Sequence, residues 1–381
     1  MKIRGAVSVA AFVLTAGAIA WGVLTDARET RLQRMLTSIE SAEREIPYVG
    51  TRLMGGAERV KLRIWSRGGE KRVDFLGVEG TPRKPARSAA PRVPFSGGMP
   101  AFLRPGRDQW KRKVKDSALA VRNYDIAVTG RTVVAGRECE ILEVNARHEG
   151  RPSYRVLADV ANRFPLRYEV VSKGQVVFET QFEEIQYDPA IPAGTFETRK
   201  RPDWLSVSQE EMPADRMADA AGFAVLRPSY LPKGFELRGS ELIRVRAELS
   251  KELQETLKPF LPFALPKIDA SVAHFTYTDG IAAVAVVECS ASSELWQHLK
   301  KLIPSFAPVS WASEGKPAVA APVAGDPAFA EASAGKKVVA RKISDRGGSA
   351  YLLEVDGTVV LAAGNVDAEE IESMIRTLER R

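Results

Sequence analysis

The chain has 381 residues, of which 45% are apolar and 27% charged; this excludes global disorder and leaves length for two units, each able to bury a core. With three histidines and two cysteines, it cannot be a disulfide-stapled small domain, and no His or Cys falls at metal-ligand spacing, so no metal and no cofactor is expected. The net charge of +7 comes without finger spacing or an aromatic-interleaved basic motif, and nucleic-acid binding is not expected.

Lys2 and Arg4 precede an uncharged run from Gly5 to Leu24, and charge returns at Asp26, Arg28 and Glu29. Residues 1–28 read as an export segment with two open outcomes. Ala18-Ile19-Ala20 offers a signal cleavage site, and the run at residues 5–24, about 20 residues long, also suffices for a transmembrane anchor. In both cases the positive N-terminus stays inside, so the remaining chain is expected in the periplasm or another extracytoplasmic space. No Cys follows the run, and a lipid-modified N-terminus is not expected.

From Glu29 to Arg44, Leu32, Met35, Leu36, Ile39 and Ala42 keep the spacing of an amphipathic helix that Pro47 ends. Strands follow at Tyr48–Met54, Val60–Trp65 and Lys71–Leu76, alternating apolar and charged residues. Residues 80–107 carry Pro82, Pro85, Pro91, Pro94, Pro100 and Pro105 and read as a long loop. The basic run Arg104 to Lys115 suits either an anionic surface or a solvated face. Strands resume at Tyr124, Arg131, Cys139, Tyr154, Leu166 and Val176, with turn signals at Ala135-Gly136, Glu149-Gly150 and Lys173-Gly174. Short strands with tight turns behind one leading helix predict an α+β fold whose first unit, 29–196, is a curved antiparallel half-barrel packed on that helix.

A polar stretch at 197–219 reads as a linker to a smaller mixed α+β unit at 220–381. That unit is predicted to hold strands at Glu236–Val245, Ser271–Tyr277 and Ile281–Glu288, and a short helix at Lys251–Phe263. A surface loop is expected at Pro317–Gly335, then a hairpin turning at Asp356-Gly357, and a final helix capped by Asp367 with Ile371, Met374, Ile375 and Leu378 on one face.

Catalytic ingredients are sparse. His148, His274 and His298 stand apart from one another, and Gly239-Ser240 and Gly348-Ser349 are not in a Gly-x-Ser-x-Gly elbow. Glu183-Glu184 and Glu369-Glu370 are adjacent and so point apart on a strand or helix. Cys139 and Cys289 lie among apolar strand residues and are expected as buried free thiols rather than a bridge between units. An enzyme is not expected; an exported hydrolase whose site is assembled from distant residues is the remaining catalytic reading.

Several segments carry a resemblance: Met35-Leu36 through Ala42 to Tyr48-Val-Gly-Thr, Asn123-Tyr124 with Gly130-Arg, Val134-Ala-Gly-Arg-Glu138, Tyr154 to Asp159, Phe164-Pro-Leu-Arg-Tyr-Glu169 and the Phe178–Phe182 strand. The pattern resembles the RseB/MucB family of periplasmic sigma-E regulators and, more distantly, the LolA/LolB lipoprotein carriers. Gly222 to Leu378, with Tyr277-Thr-Asp-Gly280, is similar in outline to the regulator's smaller domain. The loops at 80–107 and 317–335 depart from the family pattern, and Asn162-Arg163 replaces its usual Thr-Gly turn. The resemblance implies an open curved sheet whose concave face accepts an acyl chain, and a second domain that contacts a membrane-anchored anti-sigma factor in the envelope stress response. Val49, Leu53, Leu62, Ile64, Val156, Leu166 and Phe178 are the groove candidates, with plain core packing the other reading for each. A periplasmic lipid or lipoprotein carrier is the alternative function.

Overall fold

The structure, a computed structural model, describes residues 29–56, 59–79, 115–196, 205–248, 267–297, 341–345 and 348–380. The leader, the Pro-rich segment 80–107, the helix expected at Lys251–Phe263, His298 and the 317–335 loop lie outside these residues.

Helix α1 covers residues 29–45 and stops where Pro47 follows; the last turn closes through Ile46 N–H donating to the Ala42 carbonyl at 3.1 Å. An eight-stranded antiparallel sheet comes next: β1 (Tyr48–Gly55), β2 (Arg59–Arg67), β3 (Glu70–Glu79), β4 (Tyr124–Val134), β5 (Arg137–Ala146), β6 (Ser153–Asp159), β7 (Pro165–Ser172) and β8 (Gln175–Tyr187). Its order is β3-β2-β1-β8-β7-β6-β5-β4, so among the described residues β3 and β4 are unjoined edges and the sheet is open, although it curls until β4 meets β8 across the interior. A short helix α2 (Ser117–Asn123) enters β4, its first turn capped by the Asp116 carboxylate, which accepts the Leu119 N–H at 2.9 Å.

The hairpins follow from turn chemistry. Ala135-Gly136 and Lys173-Gly174 both hold positive φ at two successive residues (51° and 74°; 50° and 76°), the two-residue form whose twist matches the flanking strands. At the β6–β7 turn Arg163 itself takes φ 65°, with Asn162 Oδ1 accepting the Phe164 N–H at 3.0 Å. The Asn-Arg pair thus makes this turn without a glycine.

Helix α1 joins two apolar clusters on one face of the sheet. Leu36 and Ile39 pack with Tyr124, Leu142, Tyr154, Val156, Tyr168 and Val170, while Ala42 packs with Tyr48, Ile64, Leu166 and Phe182. Tyr48, Phe164 and Phe182 meet edge to face with centroids 4.8 to 5.8 Å apart, an arrangement that adds about 0.5–1.5 kcal/mol per pair beyond burial.

The second unit begins earlier than its composition suggests. Within the stretch expected as a linker, β9 (Leu205–Glu211) pairs with β11 (Glu236–Ala247), and a 3₁₀ turn (Ala214–Arg216) leads into α3 (Met217–Ala221). β9 is an edge strand whose Ser and Glu residues alternate with few apolar ones, so it lacks the pattern of a core strand. The unit continues with β10 (Leu226–Pro228), β12 (Ile268–Thr278), β13 (Ala283–Ser290), β14 (Arg341–Asp345), β15 (Gly348–Val355), β16 (Thr358–Gly364), α4 (Ala368–Arg376) and β17 (Leu378–Arg380). Seven strands form one antiparallel sheet ordered β14-β15-β16-β13-β12-β11-β9, and β10 pairs with β17 apart from it.

Central β13 is buried along nearly its whole length, because both faces are covered: one by Met217 and the Ile371, Met374 and Ile375 row of α4, the other by Leu295 and Trp296. Asp367 occupies the position before α4 but its side chain makes no capping bond; its N–H instead donates to the Gly150 carbonyl at 2.8 Å. Leu378 leaves the helix and opens β17. Cys139 and Cys289 are buried free thiols, and burial pushes each up to about 11.

Candidate ligand trough and the contact between units

Two places gather polar chemistry that the fold alone does not require. The first is the helix-packed face of β1–β3. Residues paired across antiparallel strands share a face, so register defines rows. Phe75, Leu62, Arg52 and Phe182 form one row, and Val78, Val60, Met54, Thr180 and Tyr168 the next. Phe182 and Tyr168 belong to the clusters that α1 covers, while Phe75 and Val78 are 65% and 60% exposed. These rows form an apolar ramp that descends from the free edge at β3 to a closed floor at β1 and β8.

Arg52 stands on that floor. Its guanidinium lies 4.5 Å from the Phe182 ring centroid, and Nη2 is 3.8 Å from Glu43 Oε1 on α1. That separation exceeds hydrogen-bond reach. Nε and Nη2 of Arg52, and Oγ1 of Thr180 in the adjoining row, are buried without hydrogen-bond partners. Gly50 makes the floor possible, since a Cβ there would come within 2.8 Å of the Phe182 ring.

The seven groove candidates divide accordingly. Leu62 and Phe178 are half-buried and lie on the helix-packed face. Ile64, Val156 and Leu166 share that face but are closed within the core. Val49 and Leu53, paired with Trp65 and Lys61, alternate with Tyr48 and Arg52 and occupy the opposite face. Arg52 was missed because the apolar pattern of β1 falls on the wrong side of the strand.

The second place is the contact between units, centred on Asp279 at the β12–β13 turn. Its carboxylate accepts the Ile281 and Ala282 N–H groups at 3.1 and 2.9 Å and the Tyr124 hydroxyl at 2.9 Å. It also pairs with Arg151 Nη1 at 3.1 Å, both side chains being fully buried. Arg151 in turn lies 4.9 Å from the Phe235 centroid and donates to the Lys233 carbonyl. Asn123 Nδ2 donates to the carbonyls of Asp279 and Gly234, and Lys115 Nζ to that of Ile281 at 2.6 Å. Ile281 itself enters the apolar cluster of the first unit. Burial raises the Asp279 pKa, with Arg151 and the N–H donors opposing it, and burial lowers Lys115 to about 8. The Tyr277-Thr-Asp-Gly280 segment is therefore a docking turn, whose partner Arg151 no local pattern could have indicated.

Other polar groups are dispersed. His274 is buried with Nδ1 3.3 Å from Glu241 Oε2. His148 is half-buried and held below its ordinary value by burial first and then by Arg151 and Lys233. Among the described residues no three His, Cys, Asp or Glu side chains are arranged to hold a metal ion, and no helix is long and apolar enough to cross a membrane.

The architecture is thus an open curved antiparallel sheet packed on a helix and joined through the Asp279 turn to a second antiparallel sheet. The profile of the MucB/RseB N-terminal domain matches residues 31–200. The sigma-E factor regulatory protein RseB of Escherichia coli K12 is 31% identical over 116 residues, 29% of this chain and 33% of RseB. The Shigella flexneri protein of the same name gives the same figures. The match thus spans about a third of the length of these relatives. Among solved structures, MucB in complex with MucA(peri) aligns over 92% of this chain and 99% of its own at 16% identity and TM-score 0.47. The Pseudomonas aeruginosa MucA/MucB complex aligns over the same shares at 18% identity and TM-score 0.48.

Proposed function

We propose that the protein is a non-catalytic extracytoplasmic regulator that binds a membrane-anchored anti-sigma factor and senses a lipid-like envelope signal through the β1–β3 trough. The observation that carries this reading is the MucB/RseB N-terminal domain at residues 31–200, in a chain whose relative is named a sigma-E factor regulatory protein. The second unit supports regulation over carriage. A carrier needs the trough alone, whereas here the turn at Asp279 joins the trough domain to a second sheet. Burying an acyl chain along the ramp contributes about 0.8 kcal/mol per CH₂, enough for a lipid to compete with a protein partner.

The test is a calorimetric titration of the purified protein, lacking residues 1–28, with the periplasmic segment of the host's membrane anti-sigma factor, run beside a vesicle-to-vesicle lipid transfer assay. Micromolar or tighter binding of the segment, weakened by added lipid, is the expected result. Lipid transfer with no binding of the segment would replace regulator with carrier.

A further inference from the structure

Arg52 places a charged group among the apolar rows of the ramp. A buried guanidinium normally has its N–H groups paired, because an unpaired charged donor out of water is costly. Here the two unpartnered atoms are Nε and Nη2, which form the side-on fork of the guanidinium. Two parallel N–H donors at that spacing match the two oxygens of a carboxylate. Glu43, the carboxylate nearest to Nη2, stands 3.8 Å away, too far to occupy the fork. From Arg52 the apolar surface runs outward through Leu62 to Phe75, and alongside through Met54 and Val60 to Val78, over two strand spacings, about 10 Å. Exposure rises along that path, reaching 65% at Phe75.

We infer that the trough takes a single-chain amphiphile with a carboxylate head, the head held by the Arg52 fork and the tail laid across Leu62, Val60, Phe75 and Val78. Thr180, whose hydroxyl is also unpartnered, adds a donor beside the head group. This inference rests on the trough being an acyl site and goes further by fixing the ligand's polar end and its direction. Arg52 is then the residue that selects acidic over neutral amphiphiles.

The probes are dodecanoate, dodecanol and dodecyltrimethylammonium, titrated into the purified protein lacking residues 1–28. Dodecanoate is expected to bind about tenfold or more tightly than dodecanol, the effect of a charge-assisted bidentate pair, and the ammonium compound most weakly. Arg52→Met should bring dodecanoate down to the dodecanol affinity while leaving dodecanol unchanged, and Arg52→Lys should keep part of the preference. Far- and near-ultraviolet circular dichroism checks that each variant is folded, and Phe75→Glu, on the exposed rim, should weaken dodecanoate and dodecanol alike. Equal binding of dodecanoate and dodecanol by the unmodified protein, or an undiminished preference in Arg52→Met, overturns the head-group assignment and leaves the acyl site standing. Binding of none of the three overturns the acyl site itself.

Discussion

Glu288 is fully buried in central β13, between Ala273 and Val360. One carboxylate oxygen accepts the Leu226 N–H at 2.8 Å and the other is unpartnered. Burial raises its pKa to about 8, so the folded protein holds a proton that the unfolded chain releases near pH 4.5. Stability from this group is complete below that value and falls as pH rises toward about 8, by about 1.4 kcal/mol per pH unit. Glu288→Gln, which keeps an acceptor for Leu226, should flatten urea-unfolding stability between pH 5 and 8; an unchanged slope would remove Glu288 as the source. At this scale the sequence was least legible. The apolar Val49 and Leu53 drew attention to the outer face of β1, because its inner face carries Gly50 and Arg52, whose surroundings are set by Phe182 from a distant strand.

Elements were more legible, since their signals are local. The α1 spacing ended by Pro47, and the Gly-containing turns at Ala135-Gly136, Lys173-Gly174 and Asp356-Gly357, all depend on residues next to one another. β9 was missed because an edge strand needs no apolar alternation, and Asp367 stands at the expected start of α4 without a side-chain capping bond. Gly280 shows how a turn becomes an attachment. At φ 107° its absent Cβ would lie 2.2 Å from the Ala120 nitrogen of α2 and 2.6 Å from the Asp116 carbonyl. Gly280→Ala therefore strains the turn and pushes it from α2 at once. Amide hydrogen exchange at Lys115 and Asp116, whose N–H groups donate to the Gly280 carbonyl at 2.7 and 3.1 Å, should accelerate by tenfold or more. Gly357→Ala, with no atom within 4 Å of the added Cβ, should cost only about 1–2 kcal/mol of left-handed strain and leave those two amides protected.

For the whole molecule, the question is whether the two sheets unfold together. Arg151 is a first-unit residue that reaches into the second, to Asp279, the Lys233 carbonyl and the Phe235 ring. Asp279 and Ile281 reach the other way, to Tyr124 and the first unit's core. Breaking one side of such a pair leaves an uncompensated buried charge and costs about 3–5 kcal/mol, and that cost falls on the junction rather than on either core. The unmodified protein should give one calorimetric transition. Arg151→Met should split it into two, the unit holding Asp279 melting separately, while each unit keeps its own secondary structure. Arg122→Ala, which removes an exposed pair with Glu236 across the same junction, should leave a single transition, since such pairs contribute at most about 1 kcal/mol. A single transition in Arg151→Met at an unchanged midpoint would show that the sheets are coupled elsewhere, and a signal entering the trough would then need another route to the second unit.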